Sequence, residues 1–127
     1  MAVTGIGGIF FRAADPKALN EWYTKHLGMN NLHVNYDPWV QQKGPTVFSL
    51  FGNDDTECFG GSKQSFMLNF RVDGLDDFVQ QLKADGVKIL KDIEGQDGVG
   101  RFASIEDPEG NRVELWELTE EDKANLT

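Results

Sequence analysis

The feature that most constrains the fold is a repeat of half the chain. Residues 8–26, GIFFRAADPKALNEWYTKH, align with residues 67–85, MLNFRVDGLDDFVQQLKAD, at an offset of 59. Phe11 falls on Phe70, Arg12 on Arg71, Ala13 on Val72 and Leu19 on Phe78. Self-similarity at a fixed period means one supersecondary unit used twice. Both copies read as a strand running into a helix. In the first, Asp15 is placed to cap the helix and Pro16 to open it. Leu19, Trp22, Tyr23 and Leu27 form its apolar stripe, and Gly28 stands where the helix stops. In the second, Leu75, Phe78, Val79 and Leu82 form the stripe and Gly86 ends it.

Short strand candidates follow each helix: residues 31–36, 39–43 and 46–51 in the first half, and 87–92, 99–105 and 111–117 in the second. Each half therefore predicts β-α-β-β-β. One domain over residues 1–127 is expected, with a first module at about 4–51 and a second at about 65–118. The polar, glycine-rich stretch 52–64 is the linker, and residues 119–127 form an acidic tail expected to fray.

Charge narrows the partners. Twelve basic side chains against 21 acidic ones leave a net charge of −9, which argues against nucleic acid, since phosphate binding needs a basic face. Cys58 is the single cysteine and cannot form an internal disulfide, so a reducing compartment, the cytoplasm, is expected. The opening MAVTGIGGIFF has neither a basic start nor a long apolar core. It predicts no signal peptide and no membrane span.

Paired β-α-β-β-β units, the WYTKHLG helix end and the closing DPEGNRVELWEL together resemble the vicinal oxygen chelate superfamily over residues 4–118. That group includes glyoxalase I, bleomycin-resistance proteins and extradiol dioxygenases. The resemblance implies an α+β fold in which two tandem βαβββ modules curl their sheets into an incomplete eight-stranded barrel around a cleft. It also implies a homodimer. Function does not follow from the fold, which hosts many chemistries.

The family's metal enzymes take one ligand from the first and last strand of each module. Carried over by position, these four places are Gly8, Phe48, Met67 and Glu114. A single carboxylate beside a glycine, a phenylalanine and a thioether is not a divalent-cation site, which needs about three protein ligands. A non-haem iron dioxygenase would need two histidines and a carboxylate. The two histidines present do not supply them: His26 ends the first helix and His33 lies on a candidate strand. No cofactor is expected.

Strand alternation assigns the remaining faces. Ile9, Phe11 and Ala13 should pack on the first helix, which turns Gly8, Phe10 and Arg12 to the cleft. By the repeat, Leu68, Phe70 and Val72 pack while Met67, Asn69 and Arg71 face the cleft. On the closing strand Val113 and Leu115 pack, and Arg112, Glu114 and Trp116 face inward. Phe48 and Trp39 complete an aromatic and thioether wall, the usual make-up of a small-molecule site. Glu114 is then either a ligand-binding acid or half of an ion pair with Arg12, Arg71 or Arg112.

Two functions fit these residues. One is metal-independent binding of a partly aromatic, cationic or hydrogen-bonding molecule, as in bleomycin-resistance-like sequestration, with Trp116 and Phe10 stacking on it. The other is a glyoxalase-like lyase or isomerase with Glu114 as general base. DPEG itself reads as a turn without chemistry.

Overall fold

The computed structural model describes residues 2–55, 59 and 64–126; Cys58 and most of the linker's second part lie outside the described residues. The fold is α+β around one four-stranded mixed sheet. Helix α1 spans Pro16–Leu27 and is followed by β1 (Leu68–Arg71), α2 (Leu75–Ala84), β2 (Lys88–Gln96), β3 (Gly100–Glu106), β4 (Arg112–Glu117) and α3 (Glu120–Ala124). The sheet order is β1-β4-β3-β2, with β1 parallel to β4 and the other pairs antiparallel. The sheet is open. No described helix is long and apolar enough to cross a membrane.

The local signals that set the helices act as their chemistry requires. Asp15 accepts a hydrogen bond from the Ala18 amide at 3.1 Å, Pro16 opens α1, and Gly28 closes it at φ +70°. The stripe of α1 enters the core through Leu19 and Tyr23, and that of α2 through Leu75, Val79 and Leu82. Against them pack Val113 and Leu115 from β4 and Ala103 and Ile105 from β3. The helix-facing residues of the repeat, Phe11 and Ala13 in one copy and Leu68, Phe70 and Val72 in the other, line the same core.

The strands expected in the first half are not present among the described residues. Residues 31–36 form a turn instead. The Asn31 carbonyl accepts from the amides of Val34, Asn35 and Tyr36, while the Asn35 side chain takes the Asn31 amide at 2.7 Å. Asparagine side chains offer the backbone an alternative to a ladder, and Tyr36 sits at φ +62°, which ends any extended run. Residues 39–43 and 46–51 join no sheet, and Val40, Val47, Phe48 and Leu50 remain exposed. At the other end the acidic tail does not simply fray: Thr119 caps α3 by accepting from the Asp122 amide.

The DPEGN turn is the clasp between the halves. Asp107 is buried, and its Oδ1 accepts from the amides of Glu109 and Asn111. Its Oδ2 accepts from the Asn111 side chain and, at 2.8 Å, from the Tyr23 hydroxyl on α1. Burial, then the bond to Asp107, pushes the Tyr23 hydroxyl above its ordinary range, so it stays a donor. Glu109 reaches across to accept from the Ala14 and Asp15 amides at 2.6 and 2.9 Å. Gly110, at φ +84°, closes the turn.

A second network ties β4 to α2. Gly74 offers α2 no side-chain cap, and Glu117 takes over: its Oε2 accepts from the Leu75 amide at 2.9 Å. Its Oε1 accepts from Arg101, which also grips Asp76 with two nitrogens, and Lys123 approaches from α3.

Candidate functional site

Alternation along β4 sorts its side chains cleanly. Val113 and Leu115 enter the core, and Arg112, Glu114 and Trp116 take the face away from the helices. The parallel register with β1 sets Asn69 opposite Glu114 and Arg71 opposite Trp116. The antiparallel register with β3 sets Ser104 beside Glu114 and Phe102 beside Trp116.

Glu114 lies on this face beneath an open groove of about 1360 Å³, bounded by β1 and β4 on one side and residues 39–53 on the other. Its Oε1 accepts from the Asn69 amide nitrogen at 2.6 Å. Among the described residues it has no ion-pair partner. Arg112 reaches beside it but donates to the buried Ser104 hydroxyl at 3.1 Å, without an ion pair to Glu114. Arg71 donates instead to the Gln42 carbonyl at 3.0 Å and to the Pro45 carbonyl. Arg12 is exposed. The carboxylate is therefore held by one neutral amide, with its second oxygen turned to no protein partner among the described residues.

Of the residues the sequence assigned to a cleft, Trp39, Phe48, Met67, Asn69, Arg71 and Glu114 line this groove. Phe10, Arg12 and Trp116 do not. Phe10 is 94% exposed on an unpaired segment. Trp116 is tucked into the sheet, where its indole N–H donates to the Val99 carbonyl and its ring stacks on Phe102 at 6.0 Å with planes 7° apart. Stacking of Trp116 on a β3 residue was not legible from β4 alone, since it depends on the register of the β3–β4 pair.

Neither histidine reaches the groove. His33 lies exposed in the 31–36 turn, its backbone amide held by the Asn31 side chain. His26 packs on Trp22 in the last turn of α1, 3.9 Å from Asp85. Among the described residues, no three histidine, cysteine, aspartate or glutamate side chains come together to hold a metal ion. Glu114, Met67 and Phe48 share the groove, and this donor set does not fit the metal that the family's enzymes carry.

Sequence reasoning missed two structural acids. Asp107 looked like a turn residue only, although Asn111 four places on gave it a local partner. Glu117 was given no role, and its partners Arg101 and Leu75 are remote in sequence.

The chain was compared with known proteins. None of the curated proteins matches it. Among solved structures it is similar to TnmS3, an antibiotic-binding protein from Streptomyces sp. CB03234, with 17% identity, 94% of this chain and 99% of that one covered, and a TM-score of 0.61. It is also similar to TioX from Micromonospora sp. ML1, with 15% identity, 84% and 93% covered, and a TM-score of 0.55. A protein of unknown function from Agrobacterium tumefaciens str. C58 gives 19% identity, 90% and 98% covered, and a TM-score of 0.51. Of two further matched chains it spans only about half, 47% and 51%. At these identities the likeness is one of fold. A family model, by contrast, matches residues 5–115, nearly the whole chain. The chain belongs to the Glyoxalase/Bleomycin resistance protein/Dioxygenase superfamily, the vicinal oxygen chelate group.

Proposed function

We propose that this protein binds a partly aromatic small molecule without a metal, sequestering it against Glu114 in the groove rather than transforming it. The observation that carries the reading is Glu114 itself. A carboxylate on a groove floor, with an amide neighbour and no cation paired to it, is available to a ligand's cationic or hydrogen-bond-donating group. Phe48, Trp39 and Met67 supply apolar wall, and Asn69 fixes the acid's orientation. TnmS3, of like fold, is an antibiotic-binding protein, which supports binding over catalysis.

The groove exceeds the ~300–1,000 Å³ of ordinary ligand pockets and lies open along β1. This supports a homodimer. The β2 edge is guarded by Lys88 and Lys91 and by irregular register, as exposed edges are. The β1 edge is only four residues long, and apolar, unpaired residues 46–51 line the same groove beside it. In our reading a second copy covers this side, the first half completes a second βαβββ module, and the two modules close toward the family's barrel. A cytoplasmic setting, with Cys58 reduced, is part of the same reading.

The test uses 2-naphthylmethylammonium, a flat ring bearing one cation. It should raise the melting temperature of the wild type, lose about tenfold in affinity in Glu114→Gln, and be recovered chemically unchanged. Recovery of a converted product would favour the lyase or isomerase alternative, with Glu114 as base. Equal binding by Glu114→Gln, or stoichiometric zinc, nickel or iron binding lost in Glu114→Ala, would overturn the proposal.

A further inference from the structure

Arg71 shares the sheet face of Asn69 and lies one pleat from Glu114, yet it has no acidic partner among the described residues. Arg101, the comparable cation on β3, is neutralised twice, by Asp76 and Glu117. Arg71 gives its two terminal nitrogens to neutral acceptors: Nη1 to the Pro45 carbonyl and Nη2 to the Gln42 carbonyl. Among the described residues these are the hydrogen bonds that join the 39–50 segment to the sheet. The seat is close-fitting. A Cβ at Gly44 would stand 2.6 Å from Nε and 3.0 Å from Cζ of Arg71, so any side chain there would push the guanidinium aside.

We propose that Arg71 is the anion-recognising residue of the groove and that residues 42–45 are a cover it releases when a carboxylate-bearing ligand arrives. A guanidinium forms its strongest bonds with a carboxylate, which meets both of its terminal nitrogens at once. The two carbonyl oxygens occupy those same nitrogens and are weaker acceptors because they are neutral. A planar carboxylate entering the groove replaces them, and the cover loses its attachment. With Asn69 two residues back on β1 and Glu114 on the adjacent β4, the groove floor offers an acceptor and a donor side by side. Its ligand class is then amphoteric: an aromatic body with an amino or amide donor toward Glu114 and a carboxylate toward Arg71. This rests on the small-molecule reading above and extends it from one polar group to two.

Three probes separate the two claims: 2-naphthylmethylammonium, 2-naphthamide and 2-naphthoate, each titrated by calorimetry into the full chain. Naphthoate should bind about tenfold tighter than the neutral amide, and trypsin cleavage after Lys43 should speed up as it binds. Arg71→Gln should bring naphthoate and naphthamide within about twofold of one another, while the ammonium probe binds no more weakly because a nearby positive charge is gone. Gly44→Ala keeps the charge but displaces the guanidinium from the carbonyls. It should loosen residues 41–44 without ligand and hold or improve naphthoate affinity, because the cover no longer competes. The proposal is overturned if naphthoate binds no better than the amide while the ammonium probe still binds. It is also overturned if Gly44→Ala loses naphthoate as completely as Arg71→Gln does, which would make the contact scaffolding. Failure of all three probes to bind would remove the small-molecule reading and this inference with it.

Discussion

Residues 9–12 and 68–71 are the same stretch of the repeat, and they meet different fates. The later copy is β1, paired along its length with β4 from Leu68↔Val113 to Arg71↔Trp116. The earlier copy has no strand partner, and Ile9 and Phe10 stay exposed while Phe11 alone docks on the core. Two stretches that share Phe and Arg at matching places thus give a strand in one copy and an unpaired segment in the other. Strand formation here is decided by the partner, as expected where β propensity mostly reports packing against neighbours. The later copy has β4 beside it, continuous with DPEGN. The segment that would answer to β4 in the first half, 46–51, lies open with Phe48 85% exposed.

The largest test of this contrast is truncation on each side of it. Ile105 and Leu82 are fully buried, so Ile105→Ala or Leu82→Ala should cost about 2–5 kcal/mol by urea denaturation. Phe48→Ala should cost under about 0.5 kcal/mol, as exposed positions do. A large loss for Phe48→Ala would mean that the first half packs in solution, as it would against a second copy. Repeating the measurement at tenfold dilution then tells a dimer from a monomer.

Asp107 comes next, because it is what holds α1 to the finished half. Asp107→Asn keeps the shape but sets an NH₂ group against some of the donors that now converge on the carboxylate. The expected loss is about 2–3 kcal/mol. The loss should not be uniform: amides of α1 should lose exchange protection before those of β3 and β4. If both halves open together, the clasp is not the joint between them.

Glu117 probes the second half alone, through pH. Burial by itself raises its carboxyl, but the Leu75 amide and Arg101, with Lys123, outweigh that and hold it below the ordinary glutamate range. A carboxyl depressed in the folded state adds stability above its unfolded pKa, ~4.3, and that contribution disappears as pH falls through the lower folded value. Glu117→Gln should therefore cost about 1–2 kcal/mol at pH 7 and flatten the acid limb of the stability curve below about pH 4. An unchanged acid limb would show that the network carries no net stabilisation.

The sequence revealed the fold where signals were local. Asp15, Pro16 and Gly28 bounded α1, the stripes named the buried faces of both helices, and the strands of the second half matched to within a few residues. It failed where a partner decides the outcome: residues 39–43 and 46–51 have strand composition and pair with no strand among the described residues. At the site, alternation put Asn69, Arg71 and Glu114 on one face from sequence alone. It could not say that Arg71 would hold Gln42 and Pro45, or that Trp116 would lie on Phe102, because those contacts depend on loop path and register.

The smallest expected effect lies at the rim of the clasp. Glu109 is exposed, and its carboxylate meets the Ala14 and Asp15 amides just ahead of α1. A negative group there interacts favourably with the positive end of the helix, by about 0.3–1 kcal/mol and less in salt. Glu109→Gln keeps an acceptor for one of the two amides and loses the other bond along with the charge, so it should lower stability by about 0.5–1 kcal/mol at low ionic strength. At high salt the charge part of that difference should disappear. Asp107 lies in the same turn but is buried, so the cost of Asp107→Asn should persist in salt. This opposite salt response separates the buried part of the clasp from its exposed part. If Glu109→Gln kept its full cost in high salt, hydrogen-bond geometry rather than helix electrostatics would be what the exposed carboxylate contributes.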